Sequence, residues 1–446
     1  MTAAPLHHDP AVGPVPRGRI ISWGIWDWGS AAFNAVILTF VYSVYLTDAV
    51  GDDLPGSISA NTWFSWSLGL AGFFIAVLAP VTGQRADAGG RRKLSLGLWT
   101  ALTVVSMAGL FFVQNDYHYL WLGLVLLSLG SIFFEFASVS YNAMLHQVST
   151  PTNIGRVSAF GWSMGYFGGI VLLLICYIGF IQPDVGWFGV TSESGLNIRM
   201  VALFAAAWFA IFAIPVLLKV PENQGLPAAK RVGFFASYRV LFRDLRELYR
   251  THPHTVYFLG ASALFRDGLA AVFAFGAILA VTVYGIDSAD VLIFGVVANV
   301  SSAIGALVAG RFDDRLGPKN VIVASLIGML ISGVILLFVS GPTNRQRNRP
   351  KIQNMVGPAQ SSSRTFLARL APIGKEGQLF GLYATTGRAV SFLAPTLFGL
   401  FIFLFGTDRA GIIGILLVLA AGLLCLLPVK PPPLGAVPET ADPVYG

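Results

Sequence analysis

Gly83-Gln84-Arg85-Ala86-Asp87-Ala88-Gly89-Gly90-Arg91-Arg92 and Gly310-Arg311-Phe312-Asp313-Asp314-Arg315-Leu316-Gly317-Pro318-Lys319 are two loops of one design. Both place Gly, Asp, Gly and a cation at relative positions 0, +4, +7 and +9. The second begins 227 residues after the first in a chain of 446. A single such loop is a positive turn with glycines. Two at equivalent points of two halves mark an internal duplication. The glycines permit tight turns, and the carboxylate can accept hydrogen bonds from a helix N-terminus or from an arginine of the other half. Such a contact would latch one side of the molecule shut. The gate residues would be Gly83, Asp87, Gly90, Arg91 and Arg92 in one half, and Gly310, Asp314, Gly317 and Lys319 in the other.

The sequence around these loops is apolar. Hydrophobic residues make up 55% of the chain and charged ones 11%, and mean hydropathy is +0.70. A soluble domain carries about 25% charged residues; the deficit fits a chain dissolved mostly in lipid. Apolar runs near the ~20 residues needed to cross a bilayer lie at about 20–46, 60–82, 94–113, 120–144, 155–180 and 200–219. A second series lies at about 255–283, 290–309, 320–340, 379–405 and 410–428. The expected fold class is therefore an all-α membrane protein of two six-helix bundles. The N-terminal bundle is placed at 17–220 and the C-terminal one at 255–430, joined by a linker at 221–254. The ends, 1–16 and 431–446, are expected to be disordered. The first residues lack the apolar core of a signal peptide.

Lysine and arginine are distributed one-sidedly. Arg17, Arg19, Arg85, Arg91, Arg92, Lys93 and Arg156 alternate with the spans, followed by seven cations from Lys219 to Arg250. Arg311, Arg315, Lys319, Arg364, Arg369, Lys375 and Lys430 complete 21 of the 29 basic residues on one side. The opposite loops are acidic, with Asp48, Asp52, Asp53, Asp116, Asp184, Glu193, Asp287 and Asp290. Basic excess marks the cytoplasmic face, so both termini are expected in the cytoplasm of a multi-pass plasma-membrane protein. The net charge of +7 is then an orientation signal and gives little support to a nucleic-acid partner. In the linker, Phe234, Tyr238, Leu241, Phe242, Leu245, Leu248 and Tyr249 recur at helical spacing opposite Arg239, Arg243, Arg246 and Arg250. That pattern predicts a basic amphipathic helix against the inner leaflet, the alternative being a helix packed only against the spans.

The doubled loop resembles the loop signature of the major facilitator superfamily, which implies twelve helices in two bundles around a central cavity. Three further stretches carry a narrower resemblance. They are Ser22-Trp23-Gly24-Ile25-Trp26-Asp27-Trp28-Gly29-Ser30-Ala31-Ala32-Phe33, then Tyr141-Asn142-Ala143-Met144-Leu145 with Gly155-Arg156-Val157-Ser158-Ala159-Phe160-Gly161, then Phe380-Gly381-Leu382-Tyr383. Together these look like the autophagy-related vacuolar amino-acid effluxer branch, which implies export of small solutes such as amino acids.

Ionisable residues inside apolar spans cost at least ~2.5–3.5 kcal/mol each at the bilayer centre and by default face a cavity. Five occur: Asp27, Glu135, Arg266, Asp267 and Arg388. Ser128, Ser131, Glu135, Ser138 and Asn142 recur at steps of 3 and 4 and form one polar stripe. Trp23, Asp27, Ser30 and Asn34 form another, while Ser262 with Arg266, Asn299 with Ser302, and Thr385 with Arg388 extend the polar lining. The alternative is that these charges are fixed ion pairs joining the bundles. Asp27 or Glu135 is the expected proton site, because neither has a cation beside it in the chain. Asp267, next to Arg266, would be held ionised by that or another arginine. Arg266 or Arg388 would take a substrate carboxylate, and an acidic residue its ammonium. Gly161, Gly165 and Gly169, four apart, let a neighbouring helix approach closely.

The pattern breaks where the tenth span should lie. Pro342 to Asn354 carries Arg345, Arg347, Arg349 and Lys351 with Pro342 and Pro350, and cannot sit in hydrocarbon. The segment from about 355 to 370 is too short to cross alone and is expected to tuck into the second bundle as a half-helix shielded by spans eight and eleven. No nucleotide-binding loop, catalytic triad or metal cluster occurs in the sequence, and Cys176 and Cys425 both lie in apolar spans. We therefore expect no enzyme and no cofactor. The expected function is a secondary transporter with a small-molecule substrate and protons or another coupling ion. The alternative is a non-transporting homologue that keeps the fold despite the broken span.

Overall fold

The computed structural model describes residues 15–222, 234–283, 288–338, 355–372 and 374–432. Among these residues there is helix and no strand. The first half holds α1 (Arg17–Ala31), α2 (Ala60–Gly89), α3 (Arg92–Gly109), α4 (Leu120–Ala143), α5 (Ile154–Cys176) and α6 (Leu196–Lys219). The linker forms α7 (Phe234–Thr251). The second half holds α8 (Pro253–Thr282), α9 (Ser288–Leu316), α10 (Pro318–Phe338), α11 (Val356–Leu370), α12 (Glu376–Val390), α13 (Leu393–Phe405) and α14 (Gly411–Leu426). Ten helical segments among the described residues are long and apolar enough to cross a bilayer. The polar stretch 342–354 and the two outer tails fall outside the described residues, apart from 15–16 and 431–432.

The repeat is visible in the backbone. Gly90 ends α2 at φ 60°, and Gly317 follows α9 at φ 88°, so both +7 glycines occupy the left-handed region that stops a helix. The next helix begins at once in each copy. The glycine row of α5 also does what its spacing predicts. Gly161 lies under Trp23, Gly165 faces Asp27, and Gly169 meets Ala31 and Ala35, which brings α5 against α1.

The linker helix forms where its periodicity placed it. Leu241 is buried, Tyr238 donates its hydroxyl to Val77 O of α2 at 2.9 Å, and Arg239, Arg243, Arg246 and Arg250 are exposed or half-exposed. The eleventh span, expected as one helix over 379–405, is broken into α12 and α13 at Ser391-Phe392. Asp267 explains how the break is tolerated. Its Oδ2 accepts the Ala394 backbone N–H at 2.7 Å, which caps the exposed start of α13. This corrects the expectation that an arginine holds Asp267. The guanidinium of Arg266 instead lies 3.7 Å over the Tyr383 ring, and its Nη1 donates to Tyr383 O at 3.0 Å. Asp267→Ala should therefore lower thermal stability by about 0.5–2 kcal/mol, while Asp267→Asn, which keeps the acceptor, should cost less. Melting curves in detergent distinguish the two; equal midpoints for both variants would remove the capping role.

Helix α11 is 15 residues long, or about 22 Å at 1.5 Å per residue, and cannot span hydrocarbon. It packs on α9 and α10 and also on α5 of the first half. The expected half-helix is thus present, but as a wedge between the halves rather than a member of the second alone. Ser361, Ser362, Ser363 and Thr365 have no exposed surface, and Arg364 has 3%. The place of Arg364 among the loop cations is therefore corrected: its charge is buried between the halves.

Candidate functional site

The halves are sealed at the end that carries the basic loops. Asp87 Oδ2 accepts the Gln378 N–H at 2.9 Å, at the start of α12. Its other oxygen accepts Arg92 Nε at 2.7 Å, and Arg92 reaches across to Glu376. Asp314 makes the matching contact in the second copy. Its oxygens accept the backbone N–H of Gly155 at 2.8 Å and of Arg156 at 3.2 Å, at the start of α5. Arg156 Nε at 2.9 Å and Arg369 at 3.3 Å complete the cluster. Each motif carboxylate thus caps a helix of the opposite half, where the orphan N–H groups and the helix dipole favour an anion.

Gly83 and Gly310 serve close approach. A Cβ on Gly83 would stand 2.0 Å from Gly377 O; one on Gly310 would stand 2.5 Å from the Ala159 Cβ. The +9 cations differ. Arg92 is buried and bridges the halves, whereas Lys319 donates to Leu427 O at 2.6 Å within the second half. Arg91 is exposed.

A second set of cross-half contacts lies deeper along the helices. Arg364 of α11 donates to Ser158 Oγ at 3.0 Å and to Asn142 Oδ1 at 3.2 Å, and also to Ser158 O. Its Nη1 lies 3.5 Å from Asp27 Oδ2. The guanidinium sits 5.0 Å from the Trp23 ring centroid, and Trp23 and Trp26 both stack on Tyr141, at 4.4 and 4.3 Å. The Tyr141 hydroxyl donates to Asp27 at 3.2 Å. Pro80 adds a contact by subtraction. It has no N–H for the carbonyl four residues earlier, and that carbonyl, Ala76 O, accepts Thr385 Oγ1 at 2.8 Å.

Glu135 of α4 and Arg388 of α12 form the third group, at 3.0 Å. Unlike Asp27–Arg364, this pair is open: its side chains are 21% and 43% exposed, against 19% and 4%. Five of the eight expected path residues therefore meet a partner that bears on the site: Asp27, Asn142, Arg364's neighbours in the first half; Glu135 and Arg388 with each other; and Arg266 against Tyr383. The Tyr383 hydroxyl then shares a 2.7 Å hydrogen bond with Ser363, beside Arg364. Asp267 is spent on the α13 cap. Asn34 stands exposed in the π-helical stretch Ala32–Phe40, where its carbonyl accepts Thr39 Oγ1, and Asn299 is half-buried on α9.

The expectation that Asp27 and Glu135 lack a nearby cation holds only along the chain. In space each faces an arginine of the other half. Arg364 was missed because it was counted with the loop cations, although the half-helix expected over about 355–370 contains it. The usable signal was Gly357 followed by the small polar run Ser361-Ser362-Ser363, the composition of a tightly packed helix.

The chain resembles proteins of one kind along nearly its whole length. It is 24% identical over 412 residues to an uncharacterized MFS-type transporter, YxiO, of Bacillus subtilis, covering 91% of this chain and 93% of that one. It is 26% identical over 303 residues to autophagy-related protein 22-1 of Aspergillus fumigatus, covering 62% of this chain and 48% of the relative. The crystal structure of the E. coli fucose:proton symporter FucP superposes with a TM-score of 0.69 at 14% identity, covering 93% and 98% of the two chains. The fold is the twelve-helix major facilitator fold. Residues 146–431 match the model of the family described as vacuole effluxer Atg22 like. This chain is a multi-pass membrane protein belonging to that family, within the major facilitator superfamily of transporters.

Proposed function

We propose that the chain exports a small solute of the amino-acid type, coupled to protons, by alternating access across the cytoplasmic membrane. Residues 17–220 and 255–430 are the moving bodies, the termini are cytoplasmic, and the basic end is the cytoplasmic gate. The observation that carries this reading is the Glu135–Arg388 pair, made by opposite halves between α4 and the last turn of α12 and left partly exposed. A solute carboxylate matches Arg388, and its ammonium matches Glu135. A bound solute or a proton on Glu135 then replaces a bond between the halves, which ties occupancy to their arrangement. Export is supported by the family description, and proton coupling by the symporter name of the fucose-transporting structural neighbour.

Proteoliposomes loaded with one labelled amino acid at a time test it. The wild-type protein should release label faster when protons enter in exchange or leave together with it, and should catalyse counterflow without a gradient. Glu135→Gln should keep its folded yield, lose the response to the pH gradient and show weaker counterflow, because the solute ammonium loses its ion partner. Absence of counterflow for every amino acid tried would sink the proposed substrate class.

A further inference from the structure

The second gate contains a carboxylate that the latch does not use. Asp313 precedes the capping residue Asp314 near the C-terminal end of α9, beyond the apolar span 290–309. It has no exposed surface. Its Oδ1 accepts Ser362 Oγ of α11 at 2.6 Å, while Oδ2 has no hydrogen-bond partner among the described residues. The backbone of α5 closes over it: a Cβ on Gly155 would stand 2.5 Å from the Asp313 Cβ.

The surrounding charges are committed elsewhere. On its own helix, Asp314 adds a like charge, and Arg311 and Arg315 are exposed. From α5, Arg156 pairs with Asp314. From α11, Arg369 pairs with Asp314 and donates to the Asp313 carbonyl at 3.5 Å rather than to its carboxylate. Thr365, also on α11, faces the carboxylate but gives its hydroxyl to Ser361 O at 3.0 Å. From α10, Lys319 is spent on Leu427 O. An ionised carboxylate in this place is desolvated without a cation of its own, and the protonated form is the one that burial favours.

We propose that Asp313 is a proton-binding site of the cytoplasmic gate, taking up a proton as the gate closes and releasing it as the gate opens. The inference rests on the transport reading only in taking the basic end to open and close. Burial pushes the Asp313 carboxyl up to about 7 in the closed gate, against the opposing pull of Ser362, Thr365 and Arg369. Exposed to cytoplasmic water, it returns toward the ordinary ~3.9. The raised value belongs to the closed state, so closure is favoured below it and weakens as pH rises through about 7. Between the two values the closed-to-open ratio falls by up to about tenfold per pH unit. Above the upper one, the dependence on this group ends.

Spin labels on Thr152→Cys and Leu316→Cys, with Cys176 and Cys425 replaced by serine, report the distance across this gate in purified full-length protein. The expected result is a shift from the short to the long distance between pH 5.5 and 8. Asp313→Asn, uncharged at every pH and still able to accept from Ser362, should stay short throughout. Asp314→Asn should weaken closure at all pH values yet keep the pH slope. A wild-type distance that ignores pH, or a slope that persists in Asp313→Asn, overturns the proposal. A pH-driven gate in a protein that moves no amino acid would leave it standing and remove the transport reading instead.

Discussion

Arg364→Met should cost the protein about 3–5 kcal/mol of stability, while Arg388→Met should cost ~0–1 kcal/mol, although both abolish transport. Both arginines face carboxylates of the first half, and distance alone, 3.5 Å for Arg364 and 3.0 Å for Arg388, would rank them the other way. Surroundings decide the order. The Arg364 side chain is 4% exposed and serves Ser158, Asn142 and Asp27 together. Its loss strands a largely enclosed carboxylate and leaves the Ser158 carbonyl without its donor. The Arg388 side chain is 43% exposed, so its pair with Glu135 is far less enclosed. Adding Asp27→Asn to Arg364→Met should recover part of the lost stability, since the uncompensated charge goes with it. Thermal unfolding of the four proteins beside proteoliposome flux checks the contrast. Equal melting midpoints for Arg364→Met and Arg388→Met would show that the buried and open pairs do not divide structural from transport duty.

That division marks where the sequence was legible. Ten of the spans and the tight, carboxylate-bearing motif turns could be read because each rests on a local rule: an apolar run, or a glycine and an aspartate at fixed offsets. Asp87 and Asp314 cap helices of the opposite half as the motif's chemistry implied. The partners of those caps could not be read. Gln378, Glu376, Gly155 and Arg369 are brought in by tertiary packing and have no pattern of their own. Arg364 fell within the expected half-helix at about 355–370 but was counted with the loop cations, which placed its charge in water. The opposite holds because its neighbours on α11 are so small that the helix can be buried whole between the halves. Asp267 was misread for a related reason. Its neighbour in the chain, Arg266, is about 100° away around the helix, and its true partner is the start of α13, created by a break that the apolar pattern of 379–405 conceals.

Gly83→Val should hold the gate open. The added Cβ would stand 2.0 Å from Gly377 O and 2.5 Å from the Gly377 carbonyl carbon, both backbone atoms of the facing helix start. No side-chain rotation relieves such a contact, so α2 and α12 must separate. They cannot do so while Asp87 caps Gln378 and Arg92 reaches Glu376. Overpacking of this kind costs typically ~1–3 kcal/mol. Here it falls on the closed state alone, so it shifts the closed-to-open ratio by about 5–150-fold. Gly310→Val should act in the same direction through Ala159 and Gly155, because the two gates are copies of one design. A cysteine at Ala79, which has no exposed surface in the closed form, reads the result. Its labelling by an impermeant maleimide in inside-out vesicles should rise in Gly83→Val and further in the double variant, while net transport falls because the cycle needs both states. Unchanged labelling in the double variant, with normal folded yield, would mean that the glycines set only the turn and that the halves do not part along this seam.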